Sequence, residues 1–127
     1  MELALLVKLA LCSLPTVRDA FNLLRPKWFQ AKVDLTSAYR SVPIHPNHWA
    51  HQCGEWAGAA FADLSLPFGV KSAVPLFNRL TQALVRKLRS EGIPAAVGYI
   101  DDFWVTAETE EKCLRAYERL IELLLDL

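Results

Sequence analysis

Ala95-Ala96-Val97-Gly98-Tyr99-Ile100-Asp101-Asp102-Phe103-Trp104-Val105 sets two adjacent carboxylates inside an apolar run. The apolar, β-branched and aromatic residues on either side read as two short buried strands. The Asp pair falls where a tight turn joins them, because Asp tolerates turn backbone conformations. An exposed hairpin turn is the ordinary reading of such acids. Between buried strands, however, two unpaired carboxylates are unfavourable unless a cation neutralises them. A divalent metal is the obvious counter-ion, and the chemistry that needs it is phosphoryl or nucleotidyl transfer.

Working outward, Ala31 to Leu35 reads as a strand that delivers a third acid, Asp34, at its C-terminal end. Taken alone, Asp34 is an ordinary solvated strand-end residue. Upstream, Thr16 caps a helix with Asp19 three residues on; Val17, Ala20, Phe21 and Leu24 share one face, and Pro26 ends it. Residues 49–66 read as two strands, with Gly54 and Gly58 near the turn between them. Ala73, Leu76, Phe77, Leu80, Leu84, Val85 and Leu88 recur at helical spacing, and Gly92 and Pro94 close that helix. A last helix is expected from near Thr106, with Glu108, Glu110 and Glu111 favouring its N-terminal dipole. Its apolar face is Cys113, Ala116, Tyr117, Leu120, Ile121 and Leu124. The order strand, hairpin, helix, hairpin, helix implies an α+β fold, an antiparallel sheet with helices on one face. That fold allows Asp34 and Asp101 to lie on neighbouring central strands although 67 positions separate them, and composition and periodicity go no further.

Composition bounds the alternatives. At 127 residues the chain is one domain with a real core. Its hydrophobic fraction of 53% and mean hydropathy of +0.18 exclude disorder. Fourteen basic and fourteen acidic residues cancel, so there is no electrostatic signature of a free-standing nucleic-acid binder. Cys12, Cys53 and Cys113 are odd in number and far apart, and read as reduced, partly buried thiols of an intracellular protein. Residues 3–12 are apolar, but Glu2 and Lys8 argue against an export signal and for a core-packed or truncated N-terminal segment. No run reaches membrane-spanning length, so no membrane partner is expected. His45, His48, His51 and Cys53 fall within nine residues and suggest zinc. Pro46 and the strand expected near His51 work against a tetrahedral site, leaving them as exposed loop and strand residues.

Three separated motifs carry a family resemblance. Lys32-Val33-Asp34-Leu35-Thr36-Ser37-Ala38-Tyr39-Arg40, followed by Val42-Pro43-Ile44-His45-Pro46, resembles the first palm motif of reverse transcriptases, with an Asp and an aromatic five positions apart. Leu66-Pro67-Phe68-Gly69, leading into Phe77-Asn78-Arg79, is similar to the family's LPFG-type motif. Tyr99-Ile100-Asp101-Asp102 resembles its YxDD box. The match covers roughly residues 16–127 and looks most like gypsy-like and DIRS-like retroelements (retrotransposons).

That resemblance implies a polymerase palm, a ferredoxin-like antiparallel sheet that is here incomplete. It implies that Asp34, Asp101 and Asp102 are catalytic and bind two Mg²⁺ ions, with Mn²⁺ as a substitute. Leu35, Ser37, Ala38, Tyr39, Phe68 and Gly69 would contact the incoming nucleotide. The backbone around Ser37 and Ala38 would approach the triphosphate, and Tyr39 would exclude a ribose 2′-hydroxyl, which disfavours an RNA-synthesising polymerase. Tyr39 and Phe68 also read as ordinary packed aromatics, and Gly69 as relief of a strand-to-helix turn. Expected partners are an RNA or DNA template with primer, deoxynucleoside triphosphates, and the missing fingers and thumb of a longer polyprotein, in cytoplasm or nucleus. Residues 1–15 are expected to be a remnant of fingers and 16–127 the palm, truncated before the primer grip. Pro75 stands one place later than the family's Ala-Pro step, which is expected to perturb the start of the long helix. As an isolated fragment the chain is expected not to polymerise, because positioning supplies much of the rate in phosphoryl transfer. A non-catalytic remnant that only binds is the alternative.

Overall fold

The computed structural model describes residues 12–127; all but Cys12 of the apolar stretch 3–12, and most of the segment 1–15, therefore lie outside the described residues. The elements are α1 (Val17–Leu23), β1 (Phe29–Asp34), β2 (Cys53–Trp56), β3 (Ala59–Ala62), α2 (Ala73–Ser90), β4 (Ala96–Tyr99), β5 (Asp102–Ala107) and α3 (Glu110–Leu125). Short 3₁₀ turns at Ala38–Ser41 and Pro46–Gln52 link β1 to β2. β1, β5 and β4 form an antiparallel sheet in that order, and β2 and β3 form a separate hairpin. The expected order of strands and helices is present.

Alternation decides what each sheet face carries. Ala31, Val33, Ala96, Gly98, Phe103 and Val105 point to the helices, where Leu84, Val85 and Leu88 of α2 meet Ala116 and Leu120 of α3. The opposite face carries Gln30, Lys32, Asp34, Asp102, Trp104 and Tyr99. A second core cluster joins Ala38, Tyr39, Leu66, Ala73 and Phe77, and Leu35 packs against both. The segments around Pro43 and Ser65 pair, with Ile44 N–H donating to Leu64 O at 2.9 Å and Leu66 N–H to Val42 O at 2.9 Å. That pairing anchors the β2–β3 hairpin to the second cluster.

Several expectations are corrected. The last helix starts at Glu110 with Thr109 as its cap, not near Thr106. Thr106 is a buried residue of β5 whose hydroxyl donates to Phe29 O at 2.7 Å, so sheet pairing outcompetes helix propensity there. Glu108 precedes the helix and pairs with Lys112. Gly54 lies within β2, under the Phe61 ring, and Ala57 and Gly58 form the turn. Residues 49–52 belong to a 3₁₀ turn rather than a strand. Pro75 does not disturb α2: it is the third helical residue, where an N–H would have no intrahelical acceptor. In α1, the Asp19 carboxylate accepts from the Thr16 N–H at 2.5 Å and the Thr16 hydroxyl at 2.8 Å, which holds it below the usual range. The shared apolar face of α1 is only partly covered: Val17 and Phe21 are exposed, while Ala20 and Leu24 are half-buried. Of the three thiols only Cys113 is buried; Cys12 and Cys53 are exposed.

The end of α2 is tied to α3 by charge. Arg119 donates to both Glu91 oxygens, at 2.7 and 2.9 Å, and Lys87 reaches Glu91 at 3.0 Å. Arg119 first, and then Lys87, hold the Glu91 carboxyl at about 2 against an ordinary 4.5. A depressed carboxyl contributes stability above its unfolded value and loses it as pH falls. Glu91→Gln is therefore expected to lower stability at neutral pH, with the deficit against wild type closing between pH 4.5 and 2 in urea-unfolding midpoints. Gly98 tests helix–sheet packing. A Cβ there would lie 2.5 Å from Thr81 Cγ2 and 3.0 Å from Val85 Cγ2. Gly98→Ala should cost about 1–3 kcal/mol, read as a lower urea midpoint at unchanged slope.

Candidate active site

The three acids are assembled by strand register. Asp34 is directly paired with Asp102, and Tyr99 with Asp102 on the other side. Residues directly opposite on antiparallel strands project to the same face, so Asp34 and Asp102 both leave the sheet away from the helices. One step beyond the strand pairing, Leu35 N–H donates to Asp101 O at 3.0 Å. That bond fixes the hairpin turn against the end of β1. The two acids are not both in the turn, as the sequence suggested. Asp101 is its second central residue, and Asp102 opens β5.

The first central residue is Ile100, at φ +54°. A β-branched residue in the left-handed region is strained by about 1–3 kcal/mol and persists only where its surroundings hold it. Thr81 of α2, fully buried, provides that hold. Its hydroxyl lies 2.6 Å from Ile100 O and 3.1 Å from Phe77 O, and the single proton favours the shorter contact. Gln82, one residue on, donates to Gly98 O at 3.0 Å. Ile100 also packs against the second core cluster. Helix α2 thus clamps the acidic turn from below.

The other expected site residues gather beside this turn with differing roles. The Leu35 amide is committed to Asp101, so it holds the hairpin and is not free for a phosphate. Ser37 takes a left-handed conformation (φ +56°, ψ +39°) and opens the 3₁₀ turn in which Ala38 and Tyr39 are buried. Tyr39 packs edge-on against Phe68 and Phe77, with ring centroids 5.0 and 5.4 Å away. Burial pushes its hydroxyl above the usual tyrosine range, and the charge of Asp101 adds to that. Phe68, by contrast, is 76% exposed. Gly69 has φ +83° and nothing near its missing Cβ, so its value lies in its conformation.

Lys32, a residue the sequence reading did not single out, completes the charge pattern. Its Nζ lies 2.9 Å from Asp102 Oδ1, and that hydrogen bond raises the lysine above its ordinary value. Period-two alternation from Asp34 would have found it. The acids offer only carboxylate oxygens, the donor class that a hard divalent cation takes, and in that respect the set fits such an ion. Among the described residues, no three of His, Cys, Asp and Glu converge on one point. This holds also for His45, His48 and His51, whose neighbouring rings lie 6.2 and 6.1 Å apart. A hollow of about 660 Å³ lies at the far end of the sheet, between Trp28, Pro94, Ala107 and Arg119, well away from the acids.

With this geometry in view, the chain proves to belong to the reverse transcriptase (RNA-dependent DNA polymerase) family, whose model matches residues 5–127. Its structure is similar to the foamy viral protease-reverse transcriptase bound to double-stranded DNA (TM-score 0.79, 22% identity, 91% of this chain and 19% of that one). It is also similar to the same viral protein bound to an RNA/DNA hybrid (TM-score 0.77, 24% identity, 90% and 15%). The native prototype foamy virus enzyme gives a TM-score of 0.74 at 19% identity, covering 91% of this chain and 15% of that one. These likenesses establish the palm fold, and the chain spans less than a fifth of each of these proteins. No curated protein matches the sequence.

The clamp on the turn is open to direct test. Thr81→Val keeps the shape but leaves the Ile100 carbonyl without its hydroxyl donor. It should cost about 1–3 kcal/mol in chemical denaturation, with Thr81→Ser restoring most of the loss.

Proposed function

We propose that this chain is the palm of an RNA-directed DNA polymerase that adds deoxynucleotides to a primer paired with an RNA or DNA template. The observation that carries the reading is the Asp34–Asp102 pairing, with Asp101 bonded to Leu35, at one end of the sheet face turned away from α2 and α3. Asp34 and Asp101 would be the principal ligands of two Mg²⁺ ions, or of Mn²⁺ in their place, with Asp102 as the further acid. Such ions, when bound, favour ionisation of the primer 3′-hydroxyl and offset charge on the departing pyrophosphate. Tyr39, packed edge-on against Phe68 and Phe77, would place its ring under the sugar and select against a 2′-hydroxyl. Ser37 and Ala38 would bring backbone to the triphosphate, and exposed Phe68 with Gly69 would border the nucleotide. Template, primer and deoxynucleoside triphosphates are the partners of this reading, together with fingers and thumb regions. The protein would act in cytoplasm or nucleus. By itself the chain would not polymerise, because it spans less than a fifth of the similar reverse transcriptases and positioning supplies much of the rate in phosphoryl transfer.

One observation favours a second reading, a remnant that only binds: no three donors converge among the described residues. Calorimetric titration of Mg²⁺ or Mn²⁺ into wild type and Asp101→Asn separates the two. With a deoxynucleoside triphosphate present, wild type should bind metal more tightly than without it, and Asp101→Asn should lose that gain. Equal binding by both proteins would favour the remnant.

A further inference from the structure

We propose that Lys32 is a resident counter-cation that reserves Asp102, leaving Asp34 and Asp101 as the carboxylates open to a divalent ion. This rests on the polymerase reading and narrows it: one of the three acids is held by the protein itself. The register makes the assignment. Lys32 sits two residues before Asp34 on β1, on the same face, directly opposite Trp104. Asp102 is then its diagonal neighbour on β5, a spacing that a long side chain spans. The ammonium closes on Asp102 Oδ1 at 2.9 Å. Next along the strands, the Trp104 indole N–H donates to Gln30 Oε1 at 3.1 Å, so the residue facing Lys32 is itself tied down. Three acids and one ammonium leave two negative charges at this end of the sheet in place of three. An isolated lysine–carboxylate pair on a surface contributes little to stability. Beside two further acids its effect falls instead on what else can bind there. Lys32 touches no reacting atom in this scheme and is a positioning residue.

The test is Mn²⁺ binding to the 127-residue chain, followed by the electron paramagnetic resonance signal of the free ion. Lys32→Met removes the cation and releases Asp102, and should tighten binding roughly three- to tenfold. Lys32→Arg keeps the charge and should stay within about twofold of wild type. The decisive comparison repeats Lys32→Met in an Asp102→Asn background, where there is no carboxylate to release. There the gain should be clearly smaller. An equal gain in both backgrounds, or no gain in either, overturns the proposal. Asp34→Asn separates this from failure of the polymerase reading. If it abolishes Mn²⁺ binding while the Lys32 gain is missing or indifferent to Asp102, only the proposal falls. If it leaves binding unchanged, both fall.

Discussion

The pairing of β1 with β5 is the constraint on which the rest of the structure depends. Phe29 to Asp34 aligns with Ala107 to Asp102 across a stretch of chain that includes a whole hairpin and the longest helix. A slip of one residue would exchange the faces, sending Asp34 and Lys32 into the core and Ala31 and Val33 to solvent. The burial of Phe103 and Val105 against Leu88 and Leu120 forbids that slip. The acids are thus held in place by apolar side chains on the other side of the sheet, which touch none of them. Hydrophobic packing specifies the position of the charges.

Two cores divide the work. One joins the sheet to α2 and α3; the other packs the 3₁₀ turn after β1 against Leu66, Ala73 and Phe77. Leu35 contributes to both, and its amide also holds the acidic turn. It therefore links the strand that carries Asp34, the turn that carries Asp101, and the cluster that fixes Tyr39. A side chain that looks like filler in the sequence is the junction of the site.

How much of this was legible depended on the kind of signal. Strongly periodic segments announced themselves: the apolar face of α2 recurs at helical spacing for four turns, and the apolar runs around the acids read as strands. The family motifs supplied the order of the acids, which pattern reasoning alone could not join across 67 positions. Boundaries were weaker. Thr106 looked like the start of a helix because acids follow it, whereas its partner in the sheet, Gln30, is remote in sequence. Pro75 looked disruptive because its place within the first turn could not be known until the helix start was fixed. Lys32 and Thr81 were hidden for a related reason. Each acts through a partner on another element, Asp102 for the lysine and Ile100 for the threonine, and no local pattern marks such pairs.

The strained conformation of Ile100 also bears on the time order of folding. Hairpins that close on their own do so through turns whose residues prefer the required backbone, and those turns can nucleate pairing within microseconds. A β-branched residue at positive φ is the opposite, a turn that opposes its own closure. Its compensation comes from Thr81, on a helix that must already be docked, and from the cluster in which Phe77 of that helix meets Ala38, Tyr39 and Leu66. The acidic turn therefore depends on a docked α2, and loosening of that helix would remove its support. The carboxylates come into register only in a molecule that has already folded around them.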